Sequence, residues 1–173
     1  MSPILRPEPP GRLEMELNDI FRRLRYALDA SEDDIVRIYS HQGHTVKPAD
    51  VTALLEKEDT EGYVACTHSD MELFLDGLIT ERRGARDPNA PPRKPTGKSL
   101  TNNMVLKKLR IAMDFKETDM LAVLKLGGVE ISSSELTALF RKASHRHHCE
   151  CGDQMLRNFL DGLGERLRKT TST

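Results

Sequence analysis

The sequence predicts an all-α protein: a tandem duplication of a small four-helix module, packed as a helical bundle. Three observations predict this fold class. Similar residues recur at a fixed offset along the chain. Aromatic residues make up only 5% of it, and its apolar residues are mostly leucine, isoleucine, valine and methionine. No run alternates β-branched and polar residues as a half-buried strand would. Such a composition suits packing of helix on helix.

The duplication is the strongest of these signals. Setting Asn18 beside Asn103 aligns the two halves at a shift of about 85 residues without a gap. Identities then fall on glycine, cysteine and aspartate, which shared helical periodicity alone does not explain. The matched positions include Leu24-Arg25 with Leu109-Arg110, Asp29 with Asp114, Gly43 with Gly128, Cys66 with Cys151, and residues 74–78 with 159–163.

A proline-rich segment separates the copies. Residues 84–100 carry prolines and glycines that exclude a continuous helix and favour an extended, solvated linker. Residues 1–12 and 170–173 are predicted to be disordered, which leaves helical repeats at 13–83 and 101–169. A module of this size has a marginal core when alone. We therefore expect the copies to share an interface, within one chain or between chains.

The first two helices of the second copy have clear end signals. One begins after Asn103 and ends near Asp114. The next covers Glu117 to Leu126 and stops at Gly127-Gly128, since glycine ends helices readily. Their apolar residues are Leu106, Leu109, Ile111, Met113, Met120, Leu121, Val123 and Leu124.

Polar residues mark the next two helix starts. Ser132 is the predicted N-cap of the third helix with Glu135 as its capping-box acid, and Asp153 is the predicted N-cap of the fourth. The third helix carries Leu136, Leu139 and Phe140, and the fourth carries Met155, Leu156, Phe159, Leu160 and Leu163. The first copy repeats this pattern with Phe21, Leu24, Leu28, Ile35, Ile38, Tyr39, Val51, Leu54, Leu55, Met71, Phe74 and Leu78.

Composition bounds the location and the partners. No apolar run approaches the ~20 residues that span a bilayer, and the first residues contain no apolar signal core. The three cysteines are an odd number, which favours reduced thiols in the cytoplasm over a disulfide framework. The formal net charge of −1 argues against a general nucleic-acid binder. We expect a cytoplasmic protein that does not bind membranes.

Three patterns recur in full or in part in both copies: LRxAxD in the first helix, a glycine turn after the second, and the ending CxDxxLxxFLDGL. With them the chain resembles the YehS-like family of bacterial proteins, a duplicated domain of unknown function, over about residues 17–168. The resemblance implies a small cytosolic helical protein and supplies no catalytic residue. The first copy departs from the pattern at 66–68 and at Gln42, which stands where the second copy has Gly127. A site that uses those positions is therefore expected in one copy only.

The segment Ser144 to Asp153 concentrates metal-competent side chains. These are His145, His147, His148, Cys149 and Cys151. Their spacing fits no closed zinc template, which usually has two separated ligand pairs, and the first copy offers only Cys66 and His68 there. We favour a polar loop with chance histidines and keep zinc as the alternative. No other cofactor is expected.

Cys66 and Cys151 precede a helix N-terminus in both copies. The helix dipole favours a thiolate there, which allows a reactive cysteine. Burial as a small residue is the commoner role of a free cysteine. We favour burial, because no histidine and acid recur in both copies to activate a nucleophile. No catalytic residue is assigned, and an enzyme is the less favoured class.

The repeated FLDGL motif places an aspartate on an apolar helix face. An unpaired buried carboxylate is costly, so a partner is expected. Arg25 and Arg110 recur in register on the first helix of each copy and suit bidentate pairing. The sequence therefore predicts the structural pairs Arg25–Asp76 and Arg110–Asp161, at the junction of the modules.

The first copy is acidic and the second is basic. An anionic partner would meet Lys107, Lys108, Arg141, Lys142 and Arg146. The leading hypothesis is a non-enzymatic interaction or regulatory module. It would bind an unknown protein partner in the groove between the copies, and a homodimer is also compatible with the sequence. The alternative is nucleic-acid binding through the basic copy and the linker. Neither the partner nor the oligomeric state follows from the sequence.

Overall fold

The structure, a computed structural model, describes residues 16–85, 87, 89, 91 and 94–172. Over these residues the chain is entirely helical outside its loops. The helices are α1 (Leu17–Leu28), α2 (Glu32–Ser40), α3 (Pro48–Leu55), α4 (His68–Arg83), α5 (Asn102–Met113), α6 (Glu117–Leu126), α7 (Ser133–Phe140) and α8 (Asp153–Thr171). The predicted all-α fold with two four-helix modules is confirmed. None of the described helices has the length and apolar character needed to cross a bilayer.

Helix starts differ from the predictions at α5 and α8. The helix predicted to begin after Asn103 begins at Asn102, because the Thr101 hydroxyl caps it by accepting from the Met104 amide. Ser132 caps α7, and its hydroxyl accepts a hydrogen bond from the Glu135 amide while that carboxylate binds back, as predicted. The predicted N-cap Asp153 is wrong by one residue, because Gly152 is the N-cap and Asp153 begins the helix. The Asp153 carboxylate accepts instead from the Asn102 side chain at 2.7 Å.

The first helix of each copy ends on an aspartate with left-handed backbone. Asp29 has φ 49° and Asp114 has φ 54°, a conformation that aspartate tolerates better than most non-glycine residues. The amides of the following residues, Ala30 and Phe115, then bond back to the last turn of the helix. The repeated aspartates of the LRxAxD pattern are therefore helix stops.

Within each copy, the second helix packs closely on the fourth at a glycine. A Cβ on Gly77 would overlap the carbonyl oxygen of Ile38, and a Cβ on Gly162 would overlap that of Val123. These four residues are equivalent by the internal repeat. The glycine of FLDGL is thus required by a close helix crossing inside each copy.

A repeated asparagine ties helix one to the loop before helix four. The Asn18 amide donates to the carbonyls of Leu54 (3.0 Å) and Val64 (2.8 Å), and its oxygen accepts from the Cys66 amide at 2.8 Å. Equivalent bonds recur in the second copy, where Asn103 binds Leu139, Cys149 and Cys151. These bonds explain why the asparagine recurs, whereas each cysteine contributes only its backbone amide to them.

The two copies pack on each other within one chain. α1 lies against α8 and α4 against α5, so the first helix of each copy meets the fourth helix of the other. The buried residues form one continuous apolar core with contributions from all eight described helices. The interface expected from the small size of each copy is therefore present, and it has approximate two-fold symmetry.

The helices that meet at each junction run parallel. Three contacts follow one another along α4 and α5: Leu100 with His68, Lys108 with Asp76, and Asp114 with Arg83. A chain leaving α4 must therefore return along the whole of that 16-residue helix, about 24 Å, before α5 can begin. Residues 84–101 provide this return, which a short turn could not make.

The end of the linker docks on α4. Buried Glu72 accepts bonds from the Thr96 amide (3.0 Å) and hydroxyl (3.2 Å), and His68 accepts from the Leu100 amide at 3.0 Å. Leu100 is fully buried. The expectation of a fully solvated linker is therefore wrong at this end, because a buried leucine and a buried carboxylate hold it.

The predicted disordered ends have different outcomes. Residues 1–12 lie outside the described residues, as does residue 173. Thr170 and Thr171 belong to α8 and their hydroxyls bond the carbonyls of Arg166 and Leu167. The helix therefore extends past residue 169, and the prediction of disorder from residue 170 is wrong for these two threonines.

Candidate functional site

A groove lies between the copies where α1 meets α8. Its volume is about 410 Å³. Three arginines, three carboxylates, one tyrosine, one leucine and one glycine line it: Arg22, Arg23, Arg168, Asp19, Asp161, Glu165, Tyr26, Leu160 and Gly164. The leading hypothesis from the sequence, a groove between the copies, corresponds to this place.

A glycine lies in the wall of the groove. Gly164 stands where the repeat places Ile79 in the first copy, and Ile79 is half-buried against the core. A Cβ added at Gly164 would lie 3.2 Å from the Arg168 guanidinium and 3.4 Å from the Cα of Ala27 on α1. The Arg168 side chain and the α1 backbone therefore pack directly against α8 at this glycine.

Charges on the groove walls are paired across the junction. Arg23 donates to Asp19 at 3.1 Å along α1 and to Asp161 at 3.4 Å on α8. Arg22 lies 3.8 Å from Asp19 and donates to the carbonyl of Glu56, the residue that follows α3. The groove thus presents cations and anions in equal number, on rigid helices.

An aromatic ring stands at the groove. Tyr26 is 67% exposed, the largest exposed fraction among the described large apolar residues. The Arg168 guanidinium lies over its ring, 5.0 Å from the centroid, in a cation–π contact. Tyr26 therefore offers a partner both apolar area and a phenol hydroxyl.

The predicted pairs Arg25–Asp76 and Arg110–Asp161 are wrong, because each aspartate pairs with a different basic residue. Asp76 pairs with Lys108 at 2.5 Å and Asp161 with Arg23 at 3.4 Å. Arg25 is exposed, since it follows Arg23 by two residues and so points to the opposite side of α1. Arg110 donates to the Phe115 carbonyl.

The carboxylates nevertheless serve the junction. Lys108 and Arg23 are equivalent by the repeat, as are Asp76 and Asp161, so this cross-copy ion pair occurs at both junctions. The Lys108–Asp76 pair is more buried, with side-chain exposures of 19% and 12%, against 34% and 63% for Arg23–Asp161. The more open pair lies in the groove.

The candidate metal ligands do not converge. Among the described residues, no three histidine, cysteine or acidic side chains form a group able to hold a metal ion. His148 Nδ1 bonds the Arg141 carbonyl at 2.9 Å, while Cys151 is buried at 5% exposure. His145 and His147 stay at the surface with ring centroids 5.7 Å apart. The five side chains therefore do not lie together in this arrangement, and zinc binding by them stays a prediction.

The two repeated cysteines are buried thiols. Cys66 is 7% exposed and Cys151 is 5% exposed. Burial raises the pKa of each thiol to about 12, with nearby acidic groups adding to the shift. Both thiols are therefore protonated at neutral pH, opposite to the thiolate that a nucleophile requires. Their geometry fits the interpretation as packed loop residues.

The basic residues do not form one surface available to an anion. Lys108 is held by Asp76 at the junction. Lys107, Lys142 and Arg146 are exposed, and Arg141 is half-buried. Binding of an anionic partner remains a prediction. It now depends on the four basic residues other than Lys108.

Two positions that shape the linker contact and the groove were not foreseen. Glu72 is 3% exposed, and nothing in its local pattern marks it, since its partner Thr96 lies in the linker. Gly164 could have been found, because the internal alignment places it opposite Ile79, and an apolar-to-glycine change in a helix signals lost volume.

The fold and this groove define a class: duplicated helical modules that pack about an internal two-fold axis and differ at their two junctions. The sequence profile described as "Protein of unknown function (DUF1456)" matches residues 17–84 and again residues 102–169. The chain belongs to this family, with one domain in each copy. The resemblance stated from the sequence motifs is thereby confirmed.

A curated relative has the same extent. "Uncharacterized protein YehS" of Escherichia coli (strain K12) is 43% identical over 149 residues, covering 86% of this chain and 94% of the relative. No solved structure matches the chain. The family and this relative carry no described activity.

Proposed function

We propose that the protein is a non-enzymatic interaction module that holds a segment of a partner protein in the α1–α8 groove. The observation that carries the proposal is the groove itself, which the junction of α1 and α8 lines with three arginines, three carboxylates and the exposed ring of Tyr26.

The lining suits a polypeptide. Arginine and tyrosine are enriched among the residues that dominate binding energy at protein interfaces, and Arg23, Arg168 and Tyr26 lie together here. The carboxylates of Asp161 and Glu165 add acceptors for amides or cationic side chains. A peptide segment carries apolar, charged and amide groups together, so it can match such a mixed surface.

The same lining disfavours nucleic acid in the groove. Its carboxylates would repel phosphates, and each phosphate contact normally requires an unopposed cation. Arg23 already lies between two carboxylates. Nucleic-acid binding is therefore treated as an alternative outcome of the test, carried by the exposed basic residues of the second copy.

A cytoplasmic location forms part of this proposal. The structure has three free cysteines, two of them buried and Cys149 exposed. An exposed free thiol is typical of a reducing compartment.

Comparative capture tests the proposal. The full chain is immobilised and exposed to lysate of the source organism, alongside Tyr26→Ala and Gly164→Ile, which adds a bulky side chain to the groove wall. Ile111→Ala is the matched control, because Ile111 is the equivalent exposed residue of the second copy. Circular dichroism and thermal unfolding establish that each variant is folded.

The outcomes separate the alternatives. A protein retained by the wild type and by Ile111→Ala, but lost from both groove variants, supports the proposal. Equal retention by all four chains overturns it. Retention of nucleic acid that disappears when Arg141, Lys142 and Arg146 become alanine would establish the nucleic-acid alternative instead.

A further inference from the structure

The loops that follow the third helix of each copy share one backbone arrangement. We name residues 56–61 the acidic loop and residues 141–147 the basic loop. Three backbone hydrogen bonds recur at equivalent positions in and beside them. They are Thr60 to Lys57 (2.9 Å) with His145 to Lys142 (2.8 Å), Tyr63 to Thr60 (3.2 Å) with His148 to His145 (2.9 Å), and Val64 to Ala53 (3.1 Å) with Cys149 to Ala138 (3.0 Å).

The same backbone carries opposite charge in the two loops. The acidic loop has four carboxylates against one lysine: Glu56, Glu58, Asp59, Glu61 and Lys57. The basic loop has no acid and three permanent cations with two histidines: Arg141, Lys142, Arg146, His145 and His147. Equivalent surfaces of one molecule are therefore close in backbone shape and opposite in sign.

These charges are not used inside the chain. Glu58, Asp59, Glu61, Lys142 and Arg146 are all exposed. Among the described residues, no ion pair joins the two loops, and the ion pairs found lie elsewhere, on the helices and at the junctions. Neither loop alone identifies a partner, but together they supply a surface and its electrostatic complement.

We propose that the acidic loop of one molecule pairs with the basic loop of a second copy of the same chain. Because the loops are equivalent by the repeat and each chain offers one loop of each sign, every loop has an electrostatic complement on a second copy. The net charge of −1 leaves little overall repulsion between copies. The association is electrostatic and therefore sensitive to salt.

Neither loop lines the α1–α8 groove, so this pairing leaves the groove free for the partner segment of the proposed function. The two proposals can fail separately. Self-association is read from the purified chain alone, whereas capture in the groove requires another protein.

Sedimentation equilibrium of the full chain tests the pairing. In about 20 mM salt we expect concentration-dependent dimerisation, and in about 1 M salt, where the screening length falls to ~3 Å, we expect monomer. Glu58→Lys with Glu61→Lys makes both loops basic, and Lys142→Glu with Arg146→Glu makes both acidic. Each variant alone should dimerise at least tenfold more weakly than the wild type at low salt.

Mixing the two variants provides the decisive result. An equimolar mixture pairs a chain with two basic loops and a chain with two acidic loops, and should recover the dimer. The matched control reverses two exposed acids away from the loops, Asp33→Lys with Glu117→Lys, and should retain wild-type association. Folding of every variant is verified by circular dichroism.

Other results overturn the proposal. The proposal fails if the wild-type chain stays monomeric at low salt. It also fails if neither loop variant weakens the dimer, or if the equimolar mixture of the two variants stays monomeric. If the wild type stays monomeric and a phosphate polymer binds it but not Lys142→Glu with Arg146→Glu, the basic loop serves an anionic partner instead.

Discussion

The α4–α5 junction and the α1–α8 junction are built from equivalent helices, yet the side chains along them differ. At the first, half-buried Ile79 packs against the core and the Lys108–Asp76 pair is mostly buried. At the second, Gly164 takes the place of Ile79, Arg168 lies over Tyr26, and the equivalent Arg23–Asp161 pair is open to solvent. The equivalent ion pair is therefore more exposed at the junction that carries the groove. Because each copy acts as an internal control for the other, the comparison can be tested residue by residue.

The links between the second and fourth helices also differ in detail. In the second copy, Arg166 donates to Asp119 at 2.5 Å. In the first copy both equivalent positions are acidic, and Arg37 bridges Asp34 (2.9 Å) and Glu81 (2.8 Å). The same two helices are held together by rearranged charges, so the surface can diverge without loss of the frame.

The largest effect is expected at the glycines shared by both copies. Gly162→Ala should lower the free energy of unfolding by about 3 kcal/mol, because the added methyl overlaps the Val123 carbonyl and forces α6 from α8. Gly77→Ala should act similarly through Ile38. Urea unfolding measures both.

The control for these variants lies two residues away on α8. Gly164→Ala adds the same methyl beside the flexible end of Arg168, and the better helix propensity of alanine offsets the crowding. Its effect should stay within about 1 kcal/mol. If Gly162→Ala and Gly164→Ala lowered the free energy of unfolding equally, the conclusion that only Gly162 lies at a tight helix crossing would be contradicted.

The repeated asparagines should differ in effect. Asn18→Ala leaves two carbonyls and the Cys66 amide without a partner, at a position only 1% exposed, and should cost about 2–3 kcal/mol. Asn103→Ala removes equivalent bonds at a half-buried site, where water can replace part of them, and should cost about 1 kcal/mol. Thermal or urea unfolding of both variants checks the order, and the reverse order would refute it.

A smaller difference is expected between the cross-copy ion pairs. Asp76→Asn keeps the side-chain shape but leaves Lys108 half-buried without its anion, for a loss of about 1–2 kcal/mol. Asp161→Asn removes a solvent-exposed pair and should change stability by less than about 0.5 kcal/mol. Denaturant titration of the two variants at low salt measures this. Similar losses would mean that the junctions are equally closed.

The smallest effect concerns acid pH. The Lys116 amide and the Arg166 guanidinium hold the pKa of Asp119 below its ordinary value of 3.8. The folded state thus gains stability from this carboxylate at pH values above 3.8, and loses it as the pH falls through the lowered folded pKa. The difference in unfolding free energy between wild type and Asp119→Asn should shrink as the pH falls from 6 toward 3.

The first copy offers a parallel measurement. Hydrogen bonds from Ser31 and Arg37 lower the pKa of Asp34 in the same direction. Asp34→Asn should therefore follow the same pH trend. A difference that is constant with pH in both variants would rule out these local bonds as the cause.

Much of the frame could be predicted from the sequence because it depends on local signals. The capping box at Ser132, the glycine stop after α6 and the inward apolar residues each depend on near neighbours, and all occur as expected. Ile111 is an exception. It was counted among the apolar residues of its helix, but its side chain is 44% exposed.

The errors concern contacts between distant segments. The cations of the aspartate pairs were misassigned because recurrence in register cannot distinguish Arg23 from Arg25; only the crossing geometry does. The buried Glu72 depends on a linker threonine that no periodicity connects to it.

The parallel junctions have a consequence for chain connectivity. The α1–α8 pair and the α5–α4 pair are equivalent. The distance from the end of α8 to the start of α1 should therefore be close to the distance from Arg83 to Asn102. A connector of the same length as residues 84–101 should therefore join the natural ends, with new ends opened near residue 91. Such a circular permutant keeps every helix contact and exchanges only which junction is covalently bridged. The fold of this molecule should therefore not depend on which of the two copies comes first along the chain.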